Sequence, residues 1–113
     1  PAYHYTFEWE SPARWGKLKT PHALEIPFVF DNVALGTWAT FTRATPAAHT
    51  LAAKVSATWA AFARTGDPNS GDLPRWEPYS ATERKTMLID NESRLASDPR
   101  PEERQLWEQL YKG

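Results

Sequence analysis

Apolar and polar positions alternate from Tyr3 to Trp9. Tyr3, Tyr5, Phe7 and Trp9 fall on one side, and His4, Thr6 and Glu8 on the other. This period of two, carried by β-favouring residues, predicts a strand with one aromatic face. Ser11-Pro12 ends it. A lone strand is not stable, and the only other strand candidate is the short apolar run Thr86 to Asp90. Two strands make a poor sheet and leave a four-aromatic face uncovered. The rest of the sheet is therefore expected outside this sequence.

The apolar period changes to three or four between Pro46 and Arg64, where Ala48, Leu51, Ala52, Val55, Trp59 and Phe62 form one stripe. This predicts an amphipathic helix. Thr45 suits its N-cap, and Pro46 fits the first helical position. Arg64 complements the negative end of the dipole, and Gly66 is a natural stop. A last helix is expected from Pro99 or Pro101 to about Tyr111. Asp98 is its candidate N-cap, Glu102 and Glu103 fall in its first turn, and Leu106, Trp107, Leu110 and Tyr111 form its expected buried side.

Between these elements the sequence reads as connections. Residues 11 to 21 hold two prolines, Gly16 and three basic residues, and are expected to be a loop. His22 to Phe30 is expected to be irregular or a single helical turn, because Pro27 forbids a regular helix through its middle. Asp31 to Arg43 reads as a loop, with Asn32 and Gly36 as turn formers. Thr65 to Asp72 is turn-rich, with Gly66 and Pro68 shaping the backbone. Leu73 to Ser80 is expected to be extended at the surface and pinned by Trp76 and Tyr79. Arg100 to Arg104 reads as a solvated helix start. There is no internal repeat and no low-complexity segment.

Composition narrows the function classes. The chain has 113 residues, enough for a real core, but too few for a complete doubly wound α/β domain. Its hydrophobic fraction of 41% argues against disorder, and six Trp call for burial against further structure. The net charge of −1 argues against a nucleic-acid partner. No apolar run reaches the ~20 residues of a membrane span. There is no cysteine, so disulfides and thiolate metal sites are excluded and the redox compartment is left open. This fits a bacterial protein, cytoplasmic or exported. No signal peptide is visible, and Pro1-Ala2-Tyr3 enters a strand directly, as expected of a cut or processed end.

One stretch carries candidate chemistry: Thr20-Pro21-His22-Ala23-Leu24-Glu25-Ile26-Pro27-Phe28-Val29-Phe30. A histidine follows a strongly patterned strand and precedes a compact apolar anchor. A neutral imidazole so placed can take a serine proton and return it to a leaving group. Pro21 and Pro27 would hold its loop rigid. The plain structural alternative is a surface histidine in a loop.

Several further local signatures stand in a fixed order along the chain. They are Tyr-x-Tyr-x-Phe (Tyr3, Tyr5, Phe7), His-x-x-Glu-Ile-Pro-Phe-Val-Phe (His22 to Phe30) and Trp-Ala-Ala-Phe-Ala-Arg-Thr-Gly-Asp-Pro-Asn (Trp59 to Asn69). Trp76 with Pro78-Tyr79, the strand-like Met87 to Asp90 and Trp107 in the last helix follow. In these signatures and their order the chain resembles the C-terminal portion of type-B carboxylesterases, the cholinesterase-like α/β-hydrolases, and the resemblance implies a C-terminal fragment of an α/β-hydrolase fold. This fragment would hold one or two sheet strands, a catalytic-histidine loop, a long amphipathic helix and a C-terminal helix. Residues 1–113 would then be an incomplete catalytic domain. It further implies that His22 is the triad histidine, in the family order Ser, Glu or Asp, His. No Gly-x-Ser-x-Gly frame occurs in the chain, so Ser11, Ser56, Ser70, Ser80, Ser93 and Ser97 are not promoted to nucleophile. In the family, the triad acid and the Gly-rich oxyanion loop also lie upstream. Where family members often have Gly after the histidine, this chain has Ala23.

Glu25 has two readings: a carboxylate behind the histidine that orders its loop, or a capping or ion-pairing residue. Phe28, Phe30 and Trp38 are candidate pocket-lining residues, with core packing the alternative. His4 and His49 are expected to be structural. The three histidines are 18 and 27 residues apart, unlike the close spacing of a metal site, so no metal is expected. No cofactor is needed.

The expected function is thus part of a serine carboxylic-ester hydrolase that supplies the general-base histidine. The isolated chain is expected to be inactive. Its expected partners are a small-molecule ester in the complete enzyme, the upstream part of the same protein, and a second copy through an exposed apolar face. Two rival readings are a non-catalytic cholinesterase-like adhesion module and a free-standing aromatic-rich binding domain, for instance for carbohydrate.

Overall fold

The structure is a computed structural model that describes residues 1–69 and 71–112. Ser70, in the turn-rich stretch expected from Thr65 to Asp72, lies outside the described residues, as does Gly113.

Strand β1 (His4–Phe7) runs parallel to β2 (Lys85–Ile89), with Tyr5 opposite Met87 and Phe7 opposite Ile89. A parallel pair needs a long crossover, and the intervening helices supply it. β2 then pairs antiparallel with β3 (Arg94–Ser97), Met87 facing Leu95. The expectation of one or two strands is therefore corrected to a three-stranded sheet in the order β1-β2-β3. The segment Arg94-Leu95-Ala96-Ser97 has no β-branched or aromatic residue. Pairing with β2, not its own propensity, makes it a strand. β2 is central and covered on both faces, which accounts for its unbroken run from Thr86 to Ile89.

Helices cover the aromatic face of the sheet. α1 (Ile26–Val29) is one turn, with Pro27 in its first turn where no N–H is missed. α2 (Trp38–Thr42) lies inside the stretch expected to be loop from Asp31 to Arg43, which corrects that expectation. Its placement depends on Thr42, whose buried Oγ1 donates to the Val33 carbonyl at 2.6 Å and accepts from the Ala44 N–H at 3.1 Å. α3 (Pro46–Thr65) starts where Thr45 Oγ1 accepts from the Ala48 N–H at 3.1 Å. It stops at Gly66, whose φ of 76° is a left-handed conformation that glycine adopts without penalty.

The core joins Leu51, Ala52 and Val55 of α3 to Phe28 of α1, to Met87 and Ile89 of β2, and to Trp9. Tyr5 meets Trp59 edge-on at 5.1 Å, and Phe7 and Trp9 both pack on Phe28 at 5.0 Å. These aromatic pairs add ~1 kcal/mol each beyond the area they bury. The expected α3 stripe holds as far as Val55 and then turns. Thr58 and Ala61 are buried, Trp59 is partly covered, and Phe62 is exposed. The returning chain explains this, because Gly71 lies so close to Thr58 that an added Cβ would come within 2.9 Å of its Oγ1.

α4 (Pro101–Tyr111) begins within the expected range but differs in two ways. Arg100, not Asp98, holds the cap position, and it makes no side-chain cap bond. Asp98 instead accepts from Arg104 Nε and Nη2 at 3.0 and 2.9 Å. The expected buried side is also corrected: Leu106, Trp107, Leu110 and Tyr111 are 57%, 57%, 62% and 82% exposed. The helix sits with Arg104 and Glu108 toward the sheet, because their partners Asp98 and Arg84 lie there. Trp15 is also almost fully exposed, so burial is not general among the tryptophans. Among the described residues, no helix is long and apolar enough to cross a membrane.

Candidate active site

His22 sits on a turn fastened to the carboxyl end of β1. Beyond the strand, Thr20 Oγ1 donates to the Trp9 carbonyl at 2.9 Å, and the Ser11 N–H donates to the Lys19 carbonyl at 2.8 Å. Trp9 itself is buried, and its indole N–H donates to Asn91 Oδ1 at 3.1 Å. The two strand-end bonds bring the chain to within two residues of His22 on a rigid base. On the far side, the Leu24 N–H donates to the Pro21 carbonyl at 3.3 Å, and the Ile26 N–H to the Ala23 carbonyl at 3.2 Å. Leu24 and Phe28 are buried anchors in the core. The His22 side chain is exposed between these two anchors.

Ala23 has φ of 65°, the left-handed conformation that a Cβ disfavours. The turn thus keeps its shape against the preference of its own residue.

Glu25 is half-buried at the start of α1. Its carbonyl accepts from the N–H groups of Phe28 and Val29, both at 3.0 Å. Its carboxylate makes no side-chain cap bond. Among the described residues it makes no ion pair either. Its nearest electrostatic effect is on Tyr5. Burial pushes the Tyr5 phenol above its ordinary pKa, and the Glu25 charge pushes it further in the same direction. Alternation placed Tyr5 on the packed face of β1 but gave no sign of this second relation, which only the fold creates.

The other candidates separate. Phe28 is fully buried beneath Phe7 and Trp9, whereas Phe30 is exposed. Trp38 is half-buried at the first residue of α2, not in a loop as expected. Ser11 Oγ donates to the Phe41 carbonyl at 2.6 Å and accepts from the Ala13 N–H at 3.1 Å, so it braces the strand end. His4 meets Thr86 Oγ1 at 3.1 Å on the opposite face of the sheet, and His49 is exposed on α3. Among the described residues, no group of three His, Cys, Asp or Glu side chains is placed to hold a metal ion.

The sequence model of the Carboxylesterase family matches residues 1–107. The chain belongs to this family. The para-nitrobenzyl esterase of Bacillus subtilis (strain 168) is 32% identical over 105 residues, which is 93% of this chain and 21% of that protein. Carboxylesterase 5A of Canis lupus familiaris is 40% identical over 93 residues, which is 78% of this chain and 16% of that one. A solved carboxylesterase of Geobacillus stearothermophilus superposes with a TM-score of 0.76 at 37% identity, covering 93% of this chain and 21% of that one. The chain thus spans about a fifth of the length of these carboxylesterases. It matches their C-terminal portion and has the corresponding part of the α/β-hydrolase fold.

Proposed function

We propose that this chain is the C-terminal segment of a carboxylesterase catalytic domain and supplies its general base, His22. The observation that carries this reading is the exposed imidazole on a turn fastened at both ends, in a chain that belongs to the carboxylesterase family. Open α/β sheets bind their ligands beyond the carboxyl ends of the strands, and the anchoring of Thr20 to Trp9 holds the turn there.

In the complete enzyme, His22 accepts the proton of an upstream serine as that serine attacks the carbonyl of a small-molecule ester. It then returns the proton to the departing alcohol. An upstream carboxylate orients the imidazole, and upstream backbone N–H groups hold the oxyanion. Glu25 sits behind the turn, and its carbonyl, bonded to the Phe28 and Val29 N–H groups, holds the α1 entry in place. Without a Gly-x-Ser-x-Gly frame the 113-residue chain is inactive alone. The natural partner for its exposed apolar surface is the upstream portion of the same protein, with self-association as the substitute.

A serine-reactive fluorophosphonate probe applied to the native source tests this. Peptides of this chain are expected among the labelled and enriched proteins. Their presence in the source together with their absence from the labelled pool would overturn the reading in favour of a non-catalytic adhesion module.

A further inference from the structure

α4 is tied to the rest of this chain by a network of charged side chains. None of its residues is buried, and Leu106, Trp107, Leu110 and Tyr111 are all exposed, although Trp107 also borders the sheet. Arg104 instead reaches back to Asp98 through Nε and Nη2, and it also donates to Glu108 Oε1 at 2.8 Å. Glu108 in turn accepts from Arg84 Nη2 at 3.4 Å, at the foot of β2. Arg84 also donates to the Tyr79 hydroxyl, and its carbonyl accepts from the Asp98 N–H at 3.2 Å. Two longer contacts of 3.8 Å join Arg100 to Glu8, just past β1, and to Glu103. Between the helix and the sheet lies an open cleft of about 310 Å³, lined by His4, Thr6, Thr86, Arg84, Arg104 and Trp107 among others.

An exposed ion pair is worth little singly, and a network with one forked Arg–carboxylate contact is worth more. An 11-residue helix is marginal in water without support. The helix therefore depends on its docking, and within this chain the charged network supplies its hydrogen-bonded contacts.

We propose that α4 is an ionically latched helix, released from the sheet when the Asp98–Arg104–Glu108–Arg84 network is screened by salt or lost by protonation, and that release uncovers the sheet face that bears His4, Thr6 and Thr86. The charged or titratable groups that bear on the latch are His4 of β1 and Glu8 just past it, Tyr79 and Arg84 before β2, and Asp98, Arg100, Glu103, Arg104, Glu108 and Lys112 of the α4 segment. Asp98 and Glu108 are held below their ordinary pKa values, first by the hydrogen bonds from Arg104, so protonation releases the latch only in acid.

Hydrogen exchange on the full chain, with a mass readout for peptides of α4 and α3, tests this. Raising NaCl from low concentration to about 0.5 M, beyond the range where exposed charges act at a distance, is expected to speed exchange in α4 by about tenfold and leave α3 unchanged. Asp98→Asn at low salt should reproduce the effect and remove most of the further response to salt. Arg104→Lys, which keeps the charge but loses the fork, should fall between the two. Exchange in α4 that ignores both salt and Asp98→Asn would overturn the latch. An equal rise in α3 would also overturn it, because the loss would then be global.

Discussion

The side-chain amide of Asn69 pairs with both backbone groups of Trp76. Its Nδ2 donates to the Trp76 carbonyl at 2.8 Å, and its Oδ1 accepts from the Trp76 N–H at 2.6 Å. The turn that presents Asn69 is itself set by Asp67, whose Oδ1 accepts from the Asn69 N–H at 2.9 Å. Trp76 is thereby held in the core, where it meets Tyr3 and Tyr5 edge-on. The Gly66-Asp67-Pro68-Asn69 stretch thus ties the end of α3 to the back of β1. Asn69→Ala should leave two Trp76 backbone groups without partners and destabilise the fold by about 2–3 kcal/mol. Urea unfolding followed by tryptophan fluorescence measures this.

The two aromatics that bracket α1 should respond in opposite ways. Phe28 is fully buried against Phe7 and Trp9, so Phe28→Ala should cost about 3–5 kcal/mol. Phe30 is exposed, and Phe30→Ala should change stability by less than about 0.5 kcal/mol. Paired denaturant midpoints separate the two, and a large effect at Phe30 would place it in the core.

Much of this arrangement was legible in the sequence where the determinants are local. Thr45, Pro46 and Gly66 mark the ends of α3 with their own side chains or backbone freedom, and the structure ends the helix there. The alternation from Tyr3 to Trp9 gave the packed face of β1 for the same reason. β3 was illegible because Arg94 to Ser97 is extended only by its pairing with β2. α2 was hidden by the turn formers around it and is fixed by a bond between Thr42 and the distant Val33 carbonyl. The face of α4 was misread because the apolar residues of a helix mark its buried side only when another element covers it. Here Arg104 and Glu108 set the orientation. His22 was found through its motif, and the bonds that fasten its turn could be read only from the fold.

The turn at His22 carries a testable strain. Ala23 holds a φ of 65° that glycine adopts freely. Ala23→Gly should relieve ~1 kcal/mol of backbone strain, partly offset by the greater freedom of glycine in the unfolded chain. A net gain of about 0.5 kcal/mol is expected, read as a small rise in melting temperature.

Acid should weaken the fold through carboxylates held by hydrogen bonds. Asp67 is kept below its ordinary pKa by the Asn69 N–H groups, and Asp98 and Glu108 by Arg104. Because the folded values lie below the unfolded ones, their contribution is complete above the ordinary carboxylate range of about pH 4 to 4.5. It is lost as pH falls through the depressed folded values. Thermal melts should thus be flat on this account from pH 7 to about 5 and decline below that. Asp67→Asn should flatten part of the acid decline.

The central claim is that His22 moves the proton. The direct measurement is ester turnover by the complete polypeptide that carries this chain, compared between the native sequence and His22→Ala, with the unfolding curve of each recorded alongside. The account predicts that kcat/KM falls by about 10⁴-fold or more while the unfolding curve stays in place. Native turnover in the His22→Ala enzyme would contradict it.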